Sequence, residues 1–327
     1  MTPIDEPLYT IEMRRDEFDF SIDSTLIFAS SGKEERGKVP DQWLDATRAT
    51  SPTLVEVFME HSDSISVSVR GQALEVSLFD ANEVRAVLDS LPQPVYLDIT
   101  SLAHNSWAPI VKTALQSAIE LIVLYVEPGQ YRRDGDSSDM FIDLSERIDG
   151  VRPVPGFVSL APKVEDRGFF VPMIGFEGAR FAHLIEDLDP IPEVTFPVIG
   201  VPGFRPEYSF YTYSGNRDSL ARNYIHNRVQ YAKANCPFSA FHVLEDVHNW
   251  AEYSHLRIAP IGTKPHALGA VLFAISRGSS VELIYDHPVK ANKRTQGEAR
   301  LCVFYVSAFS DSKSFNSAAG RAIKGKA

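Results

Sequence analysis

Apolar and polar positions alternate along this chain in blocks, each with the period of a strand or of a helix. "STLIFASSGKEERG" is an apolar run that ends in a polar turn. "TLVEVF" and "SISVSV" show the every-second-residue pattern of half-buried strands, whereas "NEVRAVLDSL" has helical spacing, with Asn82 as its expected N-cap. "PVYLDIT" reads as a buried strand. "HNSWAPIVKTALQSA" reads as a helix with Pro109 in an early turn, and "IELIVLYVEP" as a strand closed by Pro128. The order resumes at Gly168. "FFVPMIGFEGARFAHLIEDL" is strand, glycine turn and helix; "VTFPVIGVPGF" is a strand entering a Gly/Pro loop. "NRDSLARNYIHNRVQYAKAN" predicts a helix capped by Asn216. "HLRIAPIGTKPHALGAVLFAISRG" predicts strand, turn and helix, and "VELIYDHP" and "RLCVFYVSAF" predict the last strands. Such alternation predicts an α/β protein with mainly parallel sheets.

The chain also reads as one statement made twice. "YLDITSLAHNSWAPIVKTALQSAIELIVLYVEP" lies over "LRIAPIGTKPHALGAVLFAISRGSSVELIYDHP" with a small slip in register. His104 then pairs with His266, Tyr125 with Tyr285 and Pro128 with Pro288, and "FASSGKEERG" pairs loosely with "MIGFEGARF". Any two α/β units share the alternation, but not the common Glu-Leu-Ile, tyrosine and proline ending. The expectation is two tandem Rossmann-like units from an internal duplication. The first spans 1–128, a Gly-, Pro-, Asp- and Arg-rich linker 129–167, the second 168–310, and a basic flexible tail 311–327.

Composition narrows the class. The 327 residues are 44% hydrophobic, enough for a substantial core and about two domains. No apolar run approaches the roughly 20 residues that cross a bilayer. The N-terminal stretch is acidic and aromatic, unlike a secretory signal. Cys236 and Cys302 lie in unrelated contexts with no neighbour at metal-ligand spacing, which predicts a reduced, cytoplasmic protein with no metal and no cofactor. A formal charge of −11 opposes direct DNA binding, while leaving room for a local basic pocket.

Ligands of open parallel sheets bind beyond the carboxyl ends of the strands. Four polar turns fall at such ends: Ser31 with Glu34, Glu35 and Arg36; Asp98 with Thr100; Glu177 with Arg180; and Gly262-Thr263-Lys264. A two-lobed crevice lined by all four is the simplest arrangement. The Gly-Thr-Lys turn opens a small-residue helix, where free N–H groups and the helix dipole favour an anion. Gly262 permits close approach, Thr263 brings a hydroxyl and Lys264 a charge, with His266 one turn on. The alternative is that Thr263 only caps the helix and Lys264 is solvated. "YDHPVKANKRT" places Asp286, Lys290, Lys293 and Arg294 after a strand, either facing phosphate or forming a solvated loop. Asn216, Arg217, Asn223, Asn227 and Arg228 read as an exposed helix face. For catalysis, Glu34, Glu35 and Asp98 are the acid or base candidates, while His104 and His266 read as structural. No Ser-His-Asp spacing, HExxH or Cys-His pair emerges.

At Gly262-Thr263-Lys264-Pro265, followed by its small-residue helix, the chain resembles the CRISPR-associated Rossmann-fold (CARF) sensor domains. Its tandem plan resembles SAVED domains, which fuse two CARF-like halves. "DITSLAH" in the first half departs from that motif, having neither the glycine nor the lysine. The resemblance implies a nucleotide-like small-molecule ligand and a separate effector or partner protein in a prokaryotic anti-phage defence assembly. A nucleotide or nucleoside hydrolase and a purely structural partner are the alternatives.

Overall fold

A computed structural model describes residues 9–30, 34–131, 144–159, 168–252, 254–290 and 295–316. In the N-terminal half the strands are β1 (Thr10–Met13), β2 (Thr25–Ala29), β3 (Thr53–Glu60), β4 (Ser64–Val69), β5 (Gln72–Ser77), β6 (Val95–Asp98) and β7 (Leu121–Tyr131). Its helices are α1 (Asp41–Leu44), α2 (Ala81–Asp89) and α3 (His104–Gln116). The strands that follow are β8 (Ser145–Ile148), β9 (Arg152–Pro153), β10 (Phe169–Pro172), β11 (Val198–Gly200), β12 (Gln230–Ala232), β13 (Leu256–Ala259), β14 (Val281–Tyr285), β15 (Pro288–Lys290) and β16 (Thr295–Phe304). The helices among them are α4 (Gly178–Leu188), α5 (Pro206–Gly215), α6 (Arg217–Ala221), α7 (Pro237–Trp250), α8 (Lys264–Arg277) and α9 (Val306–Ser310).

These elements make a mixed α/β protein. The larger sheet runs β1-β16-β7-β6-β2-β3-β4-β5. Its centre, β7-β6-β2-β3, is parallel, and both flanks are antiparallel. The smaller sheet runs β10-β13-β14-β9, with the three strands β10, β13 and β14 parallel. Bridges at Phe170 and Met173 carry it on to the parallel pair β11-β12.

Four sequence expectations change here. "RLCVFYV", read as the last strand of the second unit, is β16 and pairs along β7 in the larger sheet. Its apolar run marks a strand, but nothing local to it selects the sheet. The segment Asn216–Asn235, read as one helix, breaks into α6, a 3-10 stretch at Arg222–Arg228 and β12. The cap of α2 is Asp80, whose carboxylate accepts the N–H of Asn82. In the region read as a tail, the described residues run to Asn316, and Phe315 packs on Phe241 and Phe309.

One hydrophobic cluster runs through both sheets by way of α3 and α8. Both helices are buried on nearly every face, which accounts for their small and apolar composition. Gly269 lets α7 and α8 touch: a Cβ there would lie 2.3 Å from the Pro237 carbonyl oxygen. A second cluster, with Phe18, Phe20, Trp43 and Tyr96 in edge-to-face contact, seals the opposite face of the larger sheet. Among the described residues no helix is long and apolar enough to cross a membrane.

Candidate functional site

The carboxyl ends of β10 and β13, the outer part of β7 and the turn after β2 meet around one cavity. Arg36, Tyr125 and Tyr131 line it from the N-terminal half. Gly175–Glu177, Arg180, Phe204, Tyr208 and Gly262–Lys264 line it from the C-terminal half. A cavity of about 90 Å³ lies between these walls and is partly open to solvent. Two glycines, Gly178 and Gly215, meet behind the turn that carries Gly175–Glu177. A Cβ on Gly178 would fall 1.8 Å from the Gly215 carbonyl oxygen, so only glycine lets the start of α4 cross the end of α5. Asn216, expected on an exposed face, is buried instead, and its amide donates to the Gly175 carbonyl at 2.7 Å, fixing the same turn.

Arg36 is the cavity's cation from the N-terminal half. It is only 3% exposed, and its guanidinium lies 5.4 Å from the centre of the Tyr125 ring. Its Nε donates to Glu34 at 2.6 Å and its Nη1 to the Val126 carbonyl. Nη2 has no carboxylate or carbonyl partner among the described residues. Burial disfavours the charge, but Tyr125 and Glu34 outweigh it and hold the guanidinium pKa above its usual value. A charged group so placed, with donors still facing a cavity, suits an anion.

Arg180 enters from the other side and is differently occupied. Nε and Nη2 grip Asp286 as a fork, at 2.7 and 2.6 Å. Nη1 donates to Glu177 at 3.3 Å and to the Ile261 carbonyl at 2.9 Å. Asp286 is fully buried, and the other oxygen of Glu177 accepts the Leu144 N–H at 2.9 Å. Arg180 therefore lies in the wall with four of its five N–H groups committed.

The Gly-Thr-Lys turn is at the cavity, but its chemistry differs from the expected phosphate cradle. Thr263 caps α8, accepting the His266 N–H at 3.3 Å and donating to the Ala234 carbonyl at 2.8 Å. Pro265 has no N–H to offer. Lys264 is neither solvated nor turned to a ligand: it is 7% exposed, and its ammonium donates to the carbonyls of Ile99, Thr100 and Leu102 in the opposite half. The turn locks the two halves together. Its lysine sits where three carbonyls of the β6–α3 loop converge, a partner that reading the turn alone does not reveal. His266 is not in the lining. It is fully buried, with Nε2 3.0 Å from the Lys233 carbonyl oxygen, and burial lowers its pKa to about 4.

The catalytic candidates are not brought together at the cavity. Glu34 stands behind Arg36 and also accepts from the Thr295 hydroxyl at 2.9 Å. Glu35 is exposed on a 3-10 turn. Asp98 is buried in its own turn, accepting the Thr100 N–H at 2.8 Å, and the Thr100 hydroxyl accepts from Val126. Ser31, Lys293 and Arg294 lie outside the described residues. Sequence reading missed the aromatic wall, in which Tyr131, Phe176 and Tyr208 meet edge-on, and it missed the role of Asp286. Tyr125 was visible through its pairing with Tyr285, and Asp286 as a charge directly after a buried strand. Among the described residues no group of three or more His, Cys, Asp or Glu is placed to hold a metal ion. No protein-family model, curated protein or solved structure matches the chain.

Proposed function

We propose that this cavity binds a nucleotide-like molecule, one that joins a planar ring to an anionic group. On this reading the chain is a sensing or scaffold subunit that passes binding to a separate effector. The carrying observation is Arg36: a buried guanidinium in the lining of a cavity walled by tyrosine and phenylalanine rings, bonded to Glu34, the Val126 carbonyl and Tyr125, with no carboxylate or carbonyl on Nη2 among the described residues. The cation suits the anion, and the rings suit a base. A role in prokaryotic defence rests on the CARF and SAVED resemblance. A hydrolase ranks lower, because Glu34, Glu35 and Asp98 are absent from the cavity lining.

Two Rossmann-like units made by duplication form part of the same reading. The strand order β3-β2-β6-β7 has the same pattern as β11-β10-β13-β14. Each half sets a buried arginine from its first turn over the tyrosine that the alignment pairs, 5.4 Å for Arg36 on Tyr125 and 5.6 Å for Arg180 on Tyr285. In the aligned register, Lys264 bonds the carbonyl of its own counterpart, Leu102.

Titration calorimetry of the full chain against cyclic AMP, AMP and cyclic dinucleotides tests the reading. At least one should bind and be recovered intact by mass spectrometry, and Tyr131→Ala should weaken it about tenfold, the usual scale of one stacked ring. Absence of binding by every probe rules the nucleotide reading out. A chemically altered probe moves the protein to the hydrolase class.

A further inference from the structure

We infer that Asp286 sets the charge selectivity of the cavity. By holding Arg180 it leaves, among the described residues, one anion subsite, at Arg36, so the favoured ligand group is singly charged, a phosphodiester or a carboxylate. This deepens the nucleotide reading and rests on it.

Three cationic side chains line the cavity among the described residues: Arg36, Arg180 and Lys264. The Lys264 ammonium is turned outward onto three carbonyls. Both forks of Arg180 are occupied, by Asp286 on one side and by Glu177 with the Ile261 carbonyl on the other. Arg36 differs at one decisive place. The residue after its tyrosine is Val126, and what reaches the guanidinium there is a backbone carbonyl. The residue after Tyr285 is Asp286, and what reaches Arg180 is a full carboxylate. Arg180 thereby faces two carboxylates, Glu177 and Asp286, whereas Arg36 faces one, Glu34; the second cluster carries the extra negative charge, and Nη2 of Arg36 has no carboxylate or carbonyl partner among the described residues. A second negative charge in the cavity would approach Glu177 and Arg180, where no free fork awaits it. Like charges in a partly dry site repel strongly.

Two probe pairs test this. Cyclic AMP is a monoanion, and AMP is a dianion above its second phosphate pKa of about 6. Dimethyl phosphate and methyl phosphate repeat the contrast without a base. Calorimetry should give the wild type at least a tenfold preference for cyclic AMP, about 1.4 kcal/mol. Thermal shift should favour dimethyl phosphate over methyl phosphate. Asp286→Asn frees charge on Arg180 and should narrow both preferences to about threefold or less. Glu34→Gln combined with Arg36→Gln, neutral as a pair, should abolish binding of all four probes. A wild type that binds AMP as tightly as cyclic AMP overturns the inference without any variant. A folded Asp286→Asn protein that keeps the wild-type preference overturns it too. Discrimination between the two simple phosphates, with neither nucleotide bound, would sink the nucleotide reading and leave the role of Asp286 standing. Loss of all discrimination would sink both.

Discussion

Arg36 and Arg180, one in each half of the chain, sit in similar surroundings with different partners. Each guanidinium is buried, lies over a tyrosine and bonds a glutamate close by in sequence. The difference is the third partner, a carbonyl for Arg36 and the buried carboxylate of Asp286 for Arg180. A salt bridge completed inside the protein becomes part of the wall. One left incomplete keeps the capacity to bind. The largest expected effect follows from this. Arg180→Ala strands Asp286 as an unpaired buried charge, a change that costs about 3–5 kcal/mol. Arg36→Ala leaves Glu34 with the Thr295 hydroxyl still donating to it, so the loss should be smaller, about 1–3 kcal/mol. Urea denaturation of both variants measures the gap. Equal losses would mean that the two arginines are alike and would remove the contrast.

Two histidines, one in each half of the chain, extend the contrast to pH. His104 stacks on Tyr285, with ring centres 4.4 Å apart, whereas His266 is sealed beside the Lys233 carbonyl with a pKa lowered by burial to about 4. An unfolded histidine takes its proton near pH 6.5. Between the two values the unfolded chain binds more protons than the folded one, so stability rises with pH across that window. The contribution of His266 is complete above about pH 6.5 and is lost progressively toward pH 4, for a total of about 3 kcal/mol. Melting temperatures measured across this window should fall with acidification, and His266→Gln should flatten the fall. An unchanged slope in the variant would assign the acid sensitivity elsewhere.

The sequence made some of this legible and hid the rest for physical reasons. Long apolar runs announced β6, β7, α3, β13 and α8, because an element buried on all sides must be apolar all round. The position of the Gly-Thr-Lys turn beyond β13 followed from strand and helix order alone. The partner of β16 did not, since strand pairing is a long-range choice that the strand's own residues do not encode. β12 is three residues long and follows a 3-10 turn, too short for an alternation to register. Read from the sequence, Lys264 is an anion-binding charge, with a solvated lysine as the alternative. Its burial depends on carbonyls in a loop far away in the chain, and no local spacing reports them. Asp286 carried the opposite signal, an acidic residue placed directly after a buried strand and so in want of a cation.

Lys264 and Leu102 form the last contrast, and the smallest effect. They lie at the mouths of α8 and α3, and of the two only Lys264 carries a charge. Leu102 is fully buried and offers its carbonyl, with those of Ile99 and Thr100, to the Lys264 ammonium. Lys264→Met keeps the unbranched stem and removes the three donors. The three carbonyls then face an apolar end group, and buried acceptors without donors cost about 1–3 kcal/mol, part of it recovered as the loop shifts. A loss of about 2 kcal/mol in the unliganded protein is expected from urea denaturation. A lysine that served only to meet a phosphate would leave the unliganded stability unchanged and weaken the ligand instead. Stability of Lys264→Met equal to wild type would therefore dissolve the contact between the halves and return the turn to the anion-binding role its sequence first suggested.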